Sequence, residues 1–422
     1  MSLGVPARIS GNRVSMSSSG IDRAPVAAGL LVVGGGPAGH AAAAGYRAAG
    51  GGGRVVIVSA DAVPPYQRPP LSKDFLRGES DEESLPLESP QFYRDNDIEL
   101  WLSDAVNRMD LVEGTARTQT GRVVSYGGCV LATGCRPARL PLRGADHRRV
   151  LRLRFLGQAQ LLRSAAQRAG SAIVIGSGFI GCEAAVSLAR RGLSVTMLSS
   201  DELPQLDRLG RAVAERISGW LADEGVRFHG AAHVTEIRDG RTVDIQAGGS
   251  FTADLILTAT GVAPESAVAR QAGLNLLDGR ILVDERMATD WPGVFAAGDV
   301  ALARNATADR PLRVEHWGEA LRMGEIAGGN AAGGDDTWSD VPGFWSQIGD
   351  HTMKYAAWGD GYDSDDVVEH AHGGFTVWYG RDGKAVGVLT VNSDEDYQRG
   401  QELIAQGAPP PVPAGVAPVP RD

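Results

Sequence analysis

Cysteine is scarce in this chain, with 3 among 422 residues. Cys129, Cys135 and Cys182 form no C-x-x-C and no metal-ligand spacing. No metal site and no disulfide framework are expected; a reduced, cytoplasmic setting is. Long apolar runs are missing too. No stretch reaches the ~18 residues needed to span a bilayer, so no membrane partner is expected. Positive charge is in deficit. Lys and Arg number 41 against 51 Asp and Glu, for a net charge of -10. That balance argues against a general nucleic-acid binder. Residues 1–25 lack the apolar stretch of a signal peptide and read as a flexible tail, with Met16 a second candidate start.

What the chain does have is glycine, 56 residues of it, and two stretches where glycine is ordered into a pattern. The first is Gly34-Gly35-Gly36-Pro37-Ala38-Gly39, entered by Leu30-Leu31-Val32-Val33. The second is Gly176-Ser177-Gly178-Phe179-Ile180-Gly181, entered by Ala172-Ile173-Val174-Ile175. Each is a G-x-G-x-x-G between a short apolar strand and an alanine-rich helix. The first glycine makes a tight turn. The second lets backbone approach a pyrophosphate. The third lets the helix pack on the strand, and the helix N-terminus faces the phosphates. A single match is weak evidence. Two in the right context imply two nucleotide cofactors held together, and the usual reason is hydride transfer between them.

The fold class expected is α/β, with two Rossmann-like dinucleotide-binding domains and a small α+β domain at the C-terminus. At 43% hydrophobic residues the chain can bury such a core. The first unit reads as a helix from Gly39 to Ala49, a strand at 54–58, a proline-rich loop from Val63 to Lys73, a meander over 108–126 and a strand at 129–134. The second repeats the plan, with strands at 172–175 and 193–198, a helix at 181–191, and one long helix over 208–224. A hairpin turns at Asp239-Gly240. Ala-Thr-Gly closes both units, at 132–134 and 259–261, which marks an internal duplication. Residues 26–145 and 280–335 are assigned to one nucleotide domain and 146–279 to the other. A helix is expected from Glu315 to Ala331. Residues 340–407 form the last domain, with a hairpin at Asp382-Gly383, and 408–422 read as a disordered Pro/Ala/Val tail.

These motifs resemble the NAD(P)H-dependent flavoprotein reductases that serve ferredoxins. That family includes putidaredoxin reductase, rubredoxin reductase and the reductase components of Rieske dioxygenases, and apoptosis-inducing factor is related to it. The resemblance covers residues 28–405. It is carried by Pro65–Lys73, Ala132–Pro137, Gly176–Glu183, Phe295–Val300 and Val314–Trp317. It implies a glutathione-reductase-like architecture that binds FAD in the first nucleotide unit and NADH, with NADPH left open, in the second.

Site residues follow from the resemblance one by one. FAD is expected on Gly34, Gly36, Pro37, Ala38 and Gly39. Arg68 and Ser72 are expected near its pyrophosphate, and Ala132, Thr133, Gly134 and Arg136 beside it. Asp299 would hold its ribityl chain, because an acceptor-only carboxylate suits hydroxyl groups. Glu315, His316 and Trp317 would open a helix aimed at the flavin pyrimidine, with Trp317 at the electron exit. Lys73 and Glu183 would stand beside the flavin where the nicotinamide arrives. NAD(P)H is expected on Gly176, Gly178, Phe179, Ile180, Gly181, Glu183 and Gly261. Lys73, Glu183 and Trp317 are the candidate catalytic residues.

The second unit departs from the pattern. An acidic residue is expected on the adenosine ribose just after the second strand. Ser199 stands there, with Asp201 two residues on, and no arginine follows before Arg208. This leans towards NADH. The first unit has a similar gap at Ser59-Ala60-Asp61, where Asp61 is the candidate for the FAD ribose. Disulfide reductases of this build carry cysteine just after the first glycine turn. None lies between His40 and Lys73, so a disulfide substrate is not expected. The implied partner is a ferredoxin-type iron–sulfur protein that feeds an oxygenase, met by a basic patch of Arg322, Lys354 and Arg399. Two rivals stand beside it: reduction of a small molecule such as a quinone or radical, and a redox-sensitive interaction role like that of apoptosis-inducing factor, which segment 349–362 resembles. A homodimer is left open.

Overall fold

The computed structural model describes residues 24–411. The expectations for residues 1–23 and 412–422 lie outside that range. In the first unit, β1 (Val26–Val33) leads through the glycine turn into α1 (Pro37–Ala48). β1 then lies parallel between β2 (Val55–Val58) and β3 (Val123–Leu131). Leu30, Leu31 and Val32 are fully buried, which explains why the run is continuously apolar rather than alternating. Ile98–Trp101 extends the sheet beyond β2. Val106–Asp110 and Thr115–Thr118 form the meander beyond β3. Val294–Ala296 returns from far along the chain to pair with β3.

The second unit repeats the arrangement. β4 (Ser171–Ile175) feeds α2 (Phe179–Arg190) and lies parallel between β5 (Ser194–Leu198) and β6 (Leu255–Thr258). In both units the glycine turn therefore sits at the carboxyl end of a central strand flanked by parallel neighbours on both sides. That is the crevice where dinucleotides bind in such sheets. The long helix expected over 208–224 is broken into Leu206–Leu209 and Arg211–Asp223. Gly210 has φ +80, and a Cβ there would meet the Asp365 carboxylate and lie 2.9 Å from the Tyr362 hydroxyl. The positive φ of Gly210 ends the first helix and opens the second, a conformation that only glycine adopts readily.

α3 (Trp317–Ala331) begins at Trp317 rather than Glu315, with His316 as its N-cap. It lies on α1 with no side chains between the backbones at Gly324 and Gly328, which rest on Ala38 and Ala42. This close approach aims the start of α3 at the first glycine turn. The C-terminal domain is a five-stranded antiparallel sheet. One edge is β7 (Gly343–Ile348), which among the described residues pairs only with His351–Ala357. α4 (Asp394–Gln406) packs on this sheet. Phe375–Arg381 and Lys384–Val391 form the hairpin expected at Asp382-Gly383. Ala408, assigned to the tail, is still tied in. Its N–H donates to Leu403 at 2.9 Å, and its carbonyl accepts from Ala385 at 2.7 Å.

Candidate nucleotide cleft and its buried ion pair

The two glycine turns have the same geometry. Gly34 has φ +121 and Gly176 φ +107, and a Cβ on either would run into the carbonyl of Ala132 or Ala259. These are the alanines of the two Ala-Thr-Gly repeats. Gly39 and Gly181 press on the carbonyls of Gly34 and Gly176, which seats each helix on its strand. The middle glycines differ. At Gly36 the first atom a Cβ would meet is Arg68 Nη2 at 3.5 Å, and at Gly178 it is Gln205 Nε2 at 3.8 Å. Neither helix start has a side-chain cap. Each turn thus leaves open space in front of free backbone N–H groups, with a nitrogen donor across it. A pyrophosphate fits that cradle.

Around the first cradle the cationic groups outnumber their partners. Arg68 lies over Phe155 at 5.0 Å and Tyr66 at 5.9 Å. Burial, and then the neighbouring Arg154, push its guanidinium below the usual arginine range. Arg154 pairs with Asp299, while its Nε is shut away from solvent without a partner. Two adjacent guanidiniums with an orphaned N–H fit an added anion. Arg154 comes from the loop before helix Leu156–Ala166 and was invisible in the sequence. The imidazole Nδ1 of His316 and the indole N–H of Trp317 are likewise buried and unpartnered at the start of α3. Burial, then Arg208, lower His316 to about 4, so its ring is neutral at physiological pH. These orphaned groups fit a polar ring system such as a flavin.

Lys73 and Glu183 meet between the two units. Lys73 Nζ lies 2.8 Å from Glu183 Oε2, with the side chains only 6% and 5% exposed. Both carboxylate oxygens are engaged. Ser72 Oγ donates to the same oxygen at 2.6 Å, and Ser346 Oγ donates to Oε1 at 2.7 Å. The Gln347 N–H adds a longer contact to Oε1 at 3.4 Å, and Lys73 also donates to the Pro69 carbonyl at 3.0 Å. The ammonium lies 4.9 Å over the ring of Trp345. A buried ion pair with this many donors is held in one geometry.

Several expected positions are placed differently. Ser72 was expected near the FAD pyrophosphate; its hydroxyl faces Glu183 instead, because a buried carboxylate needs donors. Arg136 was expected beside FAD. Strand alternation over Cys135–Pro137 turns Cys135 inward and Arg136 out to an exposed pair with Glu265. Glu183 sits two residues deeper in its helix than expected, since α2 starts at Phe179. Glu315 reaches the buried Arg280 and, at 2.9 Å, Arg313. Trp317 is half-buried. The aromatic exposed above the ion pair is Trp345, at 46%. Of the expected basic patch, Arg399 is exposed, while the other two residues face carboxylates. Arg322 pairs with Glu325 at 3.1 Å and Asp340 at 3.5 Å, and Lys354 with Asp394 at 2.7 Å.

The other expected positions fall around the cradles. Pro37 and Ala38 are buried in the first turn of α1. Thr133 Oγ1 donates to the Glu265 carbonyl at 2.6 Å, just before Gly134. Asp61 accepts from the Tyr66 hydroxyl at 3.3 Å. In the second unit Phe179 and Ile180 open α2, and Gly261 follows the carboxyl end of β6. Phe179 packs on Phe344 with centroids 4.8 Å apart, and Phe344 packs on His316 at 4.6 Å. The Ser199 hydroxyl is buried against Ser177 at 2.7 Å and accepts from the Asp201 N–H at 3.2 Å. Asp201 itself points to solvent. Gln205, which the sequence did not flag, donates to the Ser177 carbonyl at 3.0 Å.

The fold and the site together define an α/β oxidoreductase with two dinucleotide cradles flanking a buried ion pair. Residues 29–324 match the family described as pyridine nucleotide-disulphide oxidoreductase, and residues 343–418 match the reductase C-terminal domain. The chain belongs to the pyridine nucleotide-disulphide oxidoreductase family. It is 32% identical over 301 residues to a rubredoxin-NAD(+) reductase of Pseudomonas putida, covering 70% of this chain and 78% of that protein. It is 31% identical over 359 residues to a ferredoxin--NAD(P)(+) reductase of a Sphingomonas species, covering 82% and 85%. Among solved structures, the ferredoxin reductase of the CYP199A2 system of Rhodopseudomonas palustris aligns with a TM-score of 0.85 at 29% identity, covering 90% of this chain and 95% of that one. The covalent putidaredoxin reductase–putidaredoxin complex aligns at 0.84 and 28% identity, covering 92% and 94%. The family name includes disulfide chemistry, but no cysteine here is placed for it. Cys129, Cys135 and Cys182 are buried and unpaired, and burial raises the Cys135 thiol to about 12.

Proposed function

We propose that this enzyme takes a hydride from NAD(P)H onto FAD and passes single electrons to a ferredoxin-type iron–sulfur protein that serves an oxygenase. The observation that carries this reading is the Lys73–Glu183 pair, which joins the two nucleotide units and is closed by Ser72 and Ser346. Bound FAD supplies the step from two-electron to one-electron transfer. The first cradle, Arg68, Arg154 and Asp299 bind it, with Asp61 towards its ribose and the Ala132–Gly134 turn alongside. The N-terminus of α3 presents backbone N–H groups to its pyrimidine end, where negative charge develops on reduction. The second cradle binds the dinucleotide donor, and Phe179 borders its nicotinamide. Lys73 and Glu183 orient that ring and keep the cleft free of bulk water.

Trp345 stands beside Trp317 as a candidate for the electron exit, since it is exposed and its ring lies against the Lys73 ammonium. No arginine stands between Leu198 and Arg208 to meet a 2′-phosphate, which supports a preference for NADH. No helix among the described residues is long and apolar enough to cross a membrane. The three unpaired thiols support a reducing, cytoplasmic compartment. Anaerobic titration of the yellow protein with NADH, and separately with NADPH, tests the reading. NADH should bleach the flavin at one equivalent and NADPH more slowly. A flavin that neither nucleotide bleaches overturns it.

A further inference from the structure

β7 is an edge strand, so alternate N–H groups along it point away from its only neighbour. Gly343 and Gln347 share that direction, and both N–H groups end on carboxylates. Gln347 reaches Glu183 Oε1, which also holds Ser346. Gly343 donates to Glu319 Oε1 at 3.3 Å. The other oxygen of Glu319 accepts from the indole N–H of fully buried Trp338 at 3.0 Å. Glu183 rises from α2, in the second nucleotide unit. Glu319 stands in the first turn of α3, in the first unit. One strand of the C-terminal domain is therefore fastened by one carboxylate from each nucleotide unit.

We propose that Glu319 is a positioning residue for hydride transfer. By fixing the start of β7 it sets where Ser346 meets Glu183, and so orients the Lys73–Glu183 pair. The inference rests on the role given above to that pair. Burial raises Glu319 to about 7; Asp340 raises it further, while the two N–H bonds and Arg322 oppose the rise. Tyr397 on α4 is the other titratable group facing it. Both N–H bonds end on this carboxyl, but burial outweighs them, so ionisation weakens the packed start of β7. The strand should thus be held best below pH 7 and loosen as pH rises through about 7.

The test compares holoenzyme of wild type, Glu319→Gln, Glu319→Leu and Glu183→Gln. Flavin reduction by NADH is followed by anaerobic rapid mixing from pH 6 to 8, and backbone hydrogen exchange is measured across residues 340–349. In wild type the rate should fall as pH rises through about 7. In Glu319→Gln it should stay flat and about fivefold below the wild-type plateau, the effect of losing one ordinary hydrogen bond. Its NADH dissociation constant should not change. Exchange in β7 should quicken in Glu319→Gln and more so in Glu319→Leu. A Glu319→Gln enzyme with the wild-type pH profile and wild-type exchange overturns the proposal. A Glu183→Gln enzyme that is reduced as fast as wild type overturns the reading of the ion pair instead.

Discussion

Replacing Glu183 by glutamine removes one charge from a pair that water scarcely reaches. The side chains of Lys73 and Glu183 are 6% and 5% exposed, so solvent screening offers little relief. The amide would keep one acceptor oxygen but turn its NH2 towards the donors of Ser72, Lys73, Ser346 or Gln347. The Lys73 ammonium would keep only the Pro69 carbonyl. Breaking a buried pair in this way costs about 3–5 kcal/mol, and the surviving carbonyl contact places this case near the lower end. Urea unfolding of the FAD-loaded protein at neutral pH measures the loss. The double variant Lys73→Met with Glu183→Leu should cost clearly less than the two single changes added together, because no charge is then left stranded. A loss below about 1 kcal/mol for Glu183→Gln, or strict additivity in the cycle, would refute the claim that this pair is buried and coupled.

The other expectations concern the cradles, the pH dependence and the partner. Gly36→Val should fold, since φ there is −83, but it should purify colourless because the side chain fills the space before Arg68; flavin content per chain checks it. Ser199→Glu should raise the NADH-to-NADPH ratio of kcat/KM about tenfold through a charged contact to the ribose, measured by steady-state kinetics. The raised pKa of Glu319 means its protonated form favours the fold. That contribution is complete below its ordinary 4.5 and is lost as pH rises through about 7. The denaturant midpoint of wild type should therefore fall relative to Glu319→Gln between pH 5 and 8. Because Arg322 and Lys354 face carboxylates, ferredoxin-coupled turnover should decline only modestly with added salt, and turnover with ferricyanide less still. A steep salt dependence would point to a basic docking surface not found in these pairs.

Both nucleotide units were legible in the sequence because their signals are local. A G-x-G-x-x-G needs only the strand before it and the helix after it. The Asp239-Gly240 and Asp382-Gly383 hairpins were legible for the same reason, since both central residues take positive φ. Lys73 and Glu183 came from the family pattern, and the structure shows them in contact. What closes that pair was not legible. Ser346 lies on an edge strand 163 residues beyond Glu183, and no local rule places a serine against a distant carboxylate. Arg154 and Glu319 were missed for the same reason. The break at Gly210 was missed because the apolar spacing continues through it, while the glycine takes a left-handed φ that ends the helix. The outward turn of Arg136 was not legible either, because strand alternation over Cys135–Pro137 depends on pairing with the distant Val262–Pro264.

The central claim is that this chain splits a hydride into single electrons for an iron–sulfur protein. The direct measurement is an anaerobic reaction of FAD-loaded enzyme with one equivalent of NADH and an excess of oxidised [2Fe–2S] ferredoxin, with both chromophores followed by rapid mixing. The result expected is two ferredoxins reduced per NADH, with the flavin returning to its oxidised spectrum and Trp345→Ala slowing ferredoxin reduction but not flavin reduction. A flavin that NADH reduces fully but that gives no electrons to any ferredoxin tried, while discharging readily to a quinone, would contradict the claim.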